Sequence, residues 1–205
     1  MKYKWKEIAR ELQAMSQIGL TYTKDKFDVE RYERLREISV EIMSNFTDTD
    51  MEIVRGIFAN ETGYQTPKVD VRAVVFKDGK LLLVQERDND LWALPGGWAD
   101  VGLSPSENAV KEVREESGLE VKPLRLLALW DKKFHNHPYE PHYCYKIAIR
   151  CELIGGTLKP SIETHAAAFF SQENIPPLST NRNTAQQVNW LFEQMDKNDA
   201  EVVFD

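Results

Sequence analysis

The chain has little cysteine and no long apolar run. Its two cysteines, Cys144 and Cys151, fall within one stretch that reads as a strand. Their odd spacing points them to opposite faces, so they cannot bridge to each other within that strand. Neither a disulfide framework nor a paired-cysteine metal frame can be drawn from them, and a reducing, cytoplasmic compartment is expected. No segment approaches the ~18 consecutive apolar residues that mark a membrane span. The opening MKYKWKEIAR is basic but lacks the apolar centre of a signal peptide. An excess of positive charge is missing too: Lys+Arg number 26 against 33 Asp+Glu, a formal net charge of −7. Broad tracking of nucleic-acid phosphates needs the opposite sign. A small phosphate-bearing substrate is not excluded, because a bound metal inverts local charge. What is present, 42% hydrophobic and 29% charged residues over 205 positions, is the composition of a globular chain with a sizeable core.

Residues 1–65 read as a small helical domain. Trp5, Ile8, Ala9, Leu12 and Met15 recur at helical spacing, and Gly19 is the expected stop. Asp28 is the expected cap of a second helix carrying Tyr32, Leu35, Ile38, Ile42 and Phe46. Thr49 with Glu52 reads as the capping box of a short third helix. Residues 1–64 hold 10 Lys+Arg and 12 Asp+Glu, a net −2 and the wrong sign for a DNA-reading module. Their apolar stripes suit a homodimer contact or a cover over substrate.

After Thr66-Pro67 the texture changes, and 66–205 reads as a second domain. VDVRAVVF (69–76) alternates, Asp78-Gly79 is a hairpin turn, and LLLVQE is its partner. LRLLALW (124–130) and HYCYKIAIRCEL (142–153) read as strands, with Gly155-Gly156 as a turn after them. AAAFF (166–170) reads as a short strand and 183–195 as a closing helix. Helices interleaved with strands imply an α+β architecture, a mixed sheet sandwiched between helices.

The informative segment is LPGGWADVGLSPSENAVKEVREESGL. Pro95-Gly96-Gly97 makes a tight turn. Ser104, Pro105 and Glu107 open a helix as cap, first residue and capping-box partner, and Gly118 closes it. Inside it, Glu112, Glu115 and Glu116 lie at i, i+3 and i+4 and share a face. Like charges so spaced destabilise a helix by roughly 0.2–0.5 kcal/mol per pair, and a hard divalent cation would reverse that sign. A solvated acidic face, with Lys111 and Arg114 as partners, is the simpler account of three Glu taken alone. The Gly-Gly turn and clean caps around them favour the site.

Residues 97–119 resemble the Nudix box. Gly97, Glu112, Glu115, Glu116, Gly118 and Leu119 match, with Val113 in the aliphatic slot. Two positions depart: the first Glu of the box falls on Leu103 and its Arg on Lys111, which keeps charge but loses the planar fork. The helical front, LTYTKDKFDVERYERLREIS, is similar to the N-terminal extension of Nudix hydrolases acting on nucleoside diphosphates linked to a second group, of ADP-ribose or CDP-choline type. The resemblance implies Mg²⁺ or Mn²⁺ held by Glu112, Glu115 and Glu116, and hydrolysis of a pyrophosphate bond in a nucleotide-derived small molecule. It also offers Glu116 or the loop acid Glu163 as general base. A catalytically inactive nucleotide-binding protein on the same fold is the alternative.

Substrate contacts are less marked. Arg72 and Arg87, on or beside the first hairpin, are phosphate candidates, against a surface ion-pair reading. The loop 132–143 gathers His135, His137, His142 and Tyr139. No cysteine or tight frame there supports zinc; a substrate-facing loop with rings for stacking on a base is the preferred reading, with a simple exposed turn as the alternative. Trp98, beyond the Gly-Gly turn, is a further contact candidate, whereas Trp92 reads as core.

Overall fold

The computed structural model describes residues 2–47, 50–140, 142–197 and 201–205. It divides into two compact units, one up to Pro67 and one from Lys68 to Asp205.

The first unit holds helices α1 (Lys2–Tyr22), α2 (Lys26–Thr47) and α3 (Met51–Phe58). Helices α1 and α2 run antiparallel, since Trp5 stacks on Phe46 at one end and Gly19 meets Tyr32 at the other. Gly19 does not stop α1. It sits inside the helix, where a Cβ would lie 2.3 Å from the Tyr32 ring, so its small size serves helix packing. Asp25, rather than Asp28, caps α2, its Oδ1 accepting from the backbone N–H of Phe27 and Asp28. Asp50 caps α3 by accepting from Glu52 N–H; the expected capping residue Thr49 lies outside the described residues.

In the second unit, strands β1 (Lys68–Lys77) and β2 (Lys80–Glu86) form the hairpin, with Asp78 and Gly79 at positive φ. Strands β3 (Trp92–Ala93) and β4 (Gly96–Trp98) follow, then helix α4 (Pro105–Ser117), β5 (Leu119–Asp131), β6 (Cys144–Gly156), β7 (Thr164–Phe170), helix α5 (Ala185–Glu193) and β8 (Val203–Phe204). Among the described residues the sheet runs β3-β2-β1-β6-β5-β8, with β4 added to β1 and β7 to β2. It is mixed: β1 is parallel to β6 and antiparallel to β2 and β4.

Alternation along β1 sends its side chains to two cores. Val71, Ala73 and Val75 join Ala109 and Val113 of α4. Val74 joins Val188 and Leu191 of α5, together with Leu81, Leu83 and Leu94. Each fully buried Val or Leu contributes about 1.5–3 kcal/mol, and the two helices so anchored cover opposite faces of the sheet. Strand β5 starts directly after Gly118, five residues before the expected LRLLALW. Gly155 and Gly156 belong to β6, paired with Glu120 and Leu119, and do not form a turn. A Cβ on Gly156 would meet Gly118 O at 2.5 Å, so the pairing itself requires glycine there. Cys144 and Cys151 are both free and buried. No described helix is long and apolar enough to cross a membrane.

Candidate active site

Local sequence sets α4 firmly. Ser104 Oγ accepts from Glu107 N–H at 3.3 Å, and Glu107 Oε2 accepts from Ser104 N–H at 2.8 Å. Gly118 closes the helix in the left-handed conformation at φ 74. Asn108, 1% exposed, ties down the preceding loop, accepting from Asp100 N–H and donating to the Leu103 and Ser104 carbonyls.

The Leu94–Gly97 turn faces this helix. Gly96 has φ 141, and a Cβ there would stand 2.0 Å from Val71 O, so only glycine fits beside β1. Its N–H donates to Glu116 Oε2 at 2.8 Å. Glu112 lies over Gly97, its Oε1 3.6 Å from where a Cβ would be. Burial pushes the Glu116 carboxyl up to about 8, with Glu112 and Glu163 adding repulsion, while Arg72 and the Gly96 N–H pull the other way. Glu112 is raised as well, first by burial and then by Glu115 and Glu163 against the pull of Lys111 and Arg72.

Glu115 faces outward and accepts from Lys111 Nζ at 2.8 Å. Lys111 also reaches Asp100 at 3.3 Å and Glu112 at 3.8 Å. Asp100 thus supplies an acid partner for position 111, where Leu103, 38% exposed, cannot. Sequence pattern alone gave no signal for Asp100, because the loop that brings it to Lys111 is folded by Asn108.

Glu163 sits just before β7 on a loop that is tied at both ends. Ser161 Oγ accepts from the N–H groups of Glu163 and Thr164, Thr164 Oγ1 donates to Glu116 O at 2.7 Å, and Arg87 N–H donates to Glu163 O at 3.2 Å. A cleft of about 1060 Å³ runs along the outer side of α4, with Glu115 and Glu163 on its walls beside Val110, Arg114 and Lys159.

Several expected contacts have other partners. Arg72 is 2% exposed and makes a two-pronged pair with Asp70 at 2.9 and 2.8 Å, while Nη1 donates to Leu94 O. Its guanidinium is held in the interior and is no surface phosphate contact; the sequence showed its charge but not its burial. Arg87 donates through Nη2 and Nε to Ser161 O, at 2.8 and 3.3 Å, bracing the Glu163 loop. His135 bonds Asp205 at 2.8 Å and leans on Trp130. His137 bonds Thr180 O at 2.7 Å, and burial pushes its imidazole down to about 4. Tyr139 is half-buried on the same loop. Trp98 is 44% exposed, edge-on to His142, and Trp92 packs into the core against Phe170.

Among the described residues, no three His, Cys, Asp or Glu side chains stand close enough together to hold an ion. Glu115 is engaged by Lys111, which also stands 3.8 Å from Glu112. The donor chemistry nonetheless fits a hard divalent cation: oxygen-only ligands on one helix face, two of them raised in pKa by burial and mutual repulsion that a cation would relieve.

This is a helix of carboxylates abutting a Gly-Gly turn on a mixed sheet, and comparison with known proteins gives it a family. Residues 66–191 match the NUDIX domain, and residues 3–58 match the UDP-X-like, N-terminal oligomerisation domain. The chain belongs to the Nudix family and is a pyrophosphohydrolase. It is 45% identical to a Bacillus subtilis protein provisionally named ADP-ribose pyrophosphatase, over 98% of this chain and 97% of that one. The crystal structure of a Streptococcus suis ADP-ribose pyrophosphatase is 46% identical and matches 68% of this chain and 100% of its own, with a TM-score of 0.63. That of a UDP-X diphosphatase is 35% identical over 100% of this chain and 99% of its own, with a TM-score of 0.64.

Proposed function

We propose that the chain uses a divalent metal, Mg²⁺ or Mn²⁺, to hydrolyse the pyrophosphate bond of a nucleoside diphosphate linked to a second group, releasing a nucleoside monophosphate and the phosphorylated second group. The observation that carries this reading is the convergence of Glu112 and Glu116 on the Gly96–Gly97 turn, with Glu163 close enough to raise the pKa of both. ADP-ribose is the first substrate to try, given the names of the Bacillus and Streptococcus relatives. The UDP-X diphosphatase adds UDP-linked groups, and CDP-choline belongs in the same class of linkage.

Glu112, Glu115 and Glu116 would hold the metal, which when bound neutralises pyrophosphate oxygens and acidifies a water. Glu163 is the candidate general base: its loop is braced by Arg87 and Ser161, so the carboxylate can accept a proton without the loop having to order first. Glu116 is the other candidate, and its preference for the proton at neutral pH suits it less while it is unneutralised. Trp98 offers a half-exposed ring for stacking on a base. The N-terminal helices carry exposed Met15, Phe27 and Ile53 and are proposed to join two copies in a homodimer.

Chromatographic product analysis tests the reading. ADP-ribose, CDP-choline, NADH and nucleoside diphosphate sugars would each be incubated with the protein and Mg²⁺ or Mn²⁺. A nucleoside monophosphate should appear from at least one, and cleavage of none would sink the proposal.

A further inference from the structure

We infer that Asp70 and Arg72 act together as a positioning unit for the carboxylates of α4, with Lys146 only balancing the charge of Asp70. Its catalytic meaning rests on the proposed hydrolysis, but its geometry does not. The three residues are 3%, 2% and 2% exposed. Sheet register brings them together: Asp70 pairs with Lys146 across β1 and β6, and Arg72 pairs with Gly96 across β1 and β4. Asp70 receives both prongs of Arg72 and, on Oδ1, the Lys146 ammonium at 2.9 Å. Buried ion clusters of this kind are often no more stable than apolar side chains of the same size. Stability alone therefore does not account for three charges in the core.

Their placement does. With Asp70 holding the guanidinium, Nη1 of Arg72 donates to Leu94 O at 2.9 Å. Leu94 N–H donates to Asn183 Oδ1 at 3.0 Å, and Pro95 O accepts from Ala73 N–H at 2.9 Å. The turn is pinned at three consecutive points, and its next N–H, that of Gly96, is the one aimed at Glu116. After Asp70, the carboxylates acting most strongly on Arg72 are Glu116 and Glu86, and Glu86 already accepts from Arg182 at 2.8 Å and Asn89 at 3.1 Å. Asp70 thus keeps Arg72 on the turn and off Glu116, leaving that carboxylate to the site. Lys146 balances the charge of Asp70, to which its ammonium donates.

Three variants of the full-length protein separate positioning from mere support: Lys146→Met, Asp70→Asn, and the two combined. Asp70→Asn alone leaves two buried cations facing an amide and is prone to unfold; the double variant removes the surplus cation. Lys146→Met should keep kcat within about twofold of the parent, because Asp70 still grips Arg72. The double variant should melt cooperatively, yet lose on the order of tenfold or more in kcat with little change in KM, since a misaligned carboxylate costs turnover rather than binding. The Gly96 amide cross-peak in a ¹⁵N–¹H spectrum should move in the double variant and stay in place in Lys146→Met. A folded double variant with parental kcat, or with an unmoved Gly96 peak, would overturn the inference. The spectrum needs no turnover, so a parent inactive on every diphosphate would count against the proposed hydrolysis and leave this test standing.

Discussion

Replacing Glu116 with Gln should make the protein more stable while stopping its chemistry. Glu116 is 9% exposed, and burial pushes its carboxyl up to about 8, against 4.5 for a solvated glutamate. Between those two values the native state holds a proton that the unfolded chain has released. The sign follows: stability contributed by the neutral acid is fully present below pH 4.5 and is lost as pH rises toward 8. At about 1.36 kcal/mol per pH unit, the stability so lost is about 3 kcal/mol at pH 7, where only the unfolded chain has ionised, and about 5 kcal/mol once pH passes 8 and the native carboxyl ionises too. Gln does not titrate, and its Oε1 can still accept from Gly96 N–H. Urea unfolding in EDTA at pH 5, 6.5 and 8 should give curves that nearly coincide at pH 5 and separate progressively above it, the variant being the more stable. Adding Mg²⁺ or Mn²⁺ should stabilise the parent most at pH 8 and the variant hardly at all. Parent and variant curves that run parallel across this range would refute the account of Glu116 as a buried acid awaiting a cation.

Glu115→Gln should cut turnover by on the order of a hundredfold or more. Its bond to Lys111 is on the surface, so stability should change by less than about 1 kcal/mol; full activity would remove Glu115 from the metal site. Lys111→Arg restores the family residue and, with Asp100 and Glu115 still in reach, should leave kcat within about twofold, read by steady-state kinetics. Light scattering behind a sizing column should give twice the 23.7 kDa chain mass, and a monomer at working concentrations would rule out the homodimer.

Much of the fold was legible because it is written in short-range pattern. The Asp78-Gly79 hairpin, the caps of α4 and the two-sided alternation of β1 each depend on neighbours in sequence. What stayed hidden depends on register. Gly155-Gly156 carries the residue types of a turn, and only pairing with Leu119 and Glu120 makes it strand. Gly19 has the type of a helix stop, and only the Tyr32 ring against it explains a glycine inside α1. The carboxylates of the site were visible as a spacing on one helix. Burial of Arg72 was not, because Lys146 on β6 and Leu94 after β3 are brought to the Asp70–Arg72 pair only by sheet register. Asp100 was missed for the same reason, since its nearness to Lys111 depends on a loop fold.

Charge at the site implies an order of events. A diphosphate arriving alone meets Glu112, Glu115 and Glu163, with Glu116 keeping its proton at neutral pH, while the nearest cations are already committed: Arg72 to Asp70, Arg87 to Ser161 O, Lys111 to Glu115. Of the basic residues on the outer cleft, Arg114 and Lys159 remain. Two unit charges 4 Å apart at an effective dielectric of 20 repel by about 4 kcal/mol, so even one close carboxylate–phosphate encounter would weaken binding on the order of a thousandfold. Diphosphate affinity should therefore depend on divalent cation even when no bond is broken. Calorimetric titration with a methylene-bridged, uncleavable analogue of ADP-ribose measures this directly. Binding should be found with Mn²⁺ or Mg²⁺ and be absent in EDTA, and the cation requirement should weaken in Glu112→Gln/Glu163→Gln, where part of the repulsion has been removed. Tight binding of the analogue to the parent in EDTA would mean that the diphosphate lies elsewhere than against the carboxylates of α4.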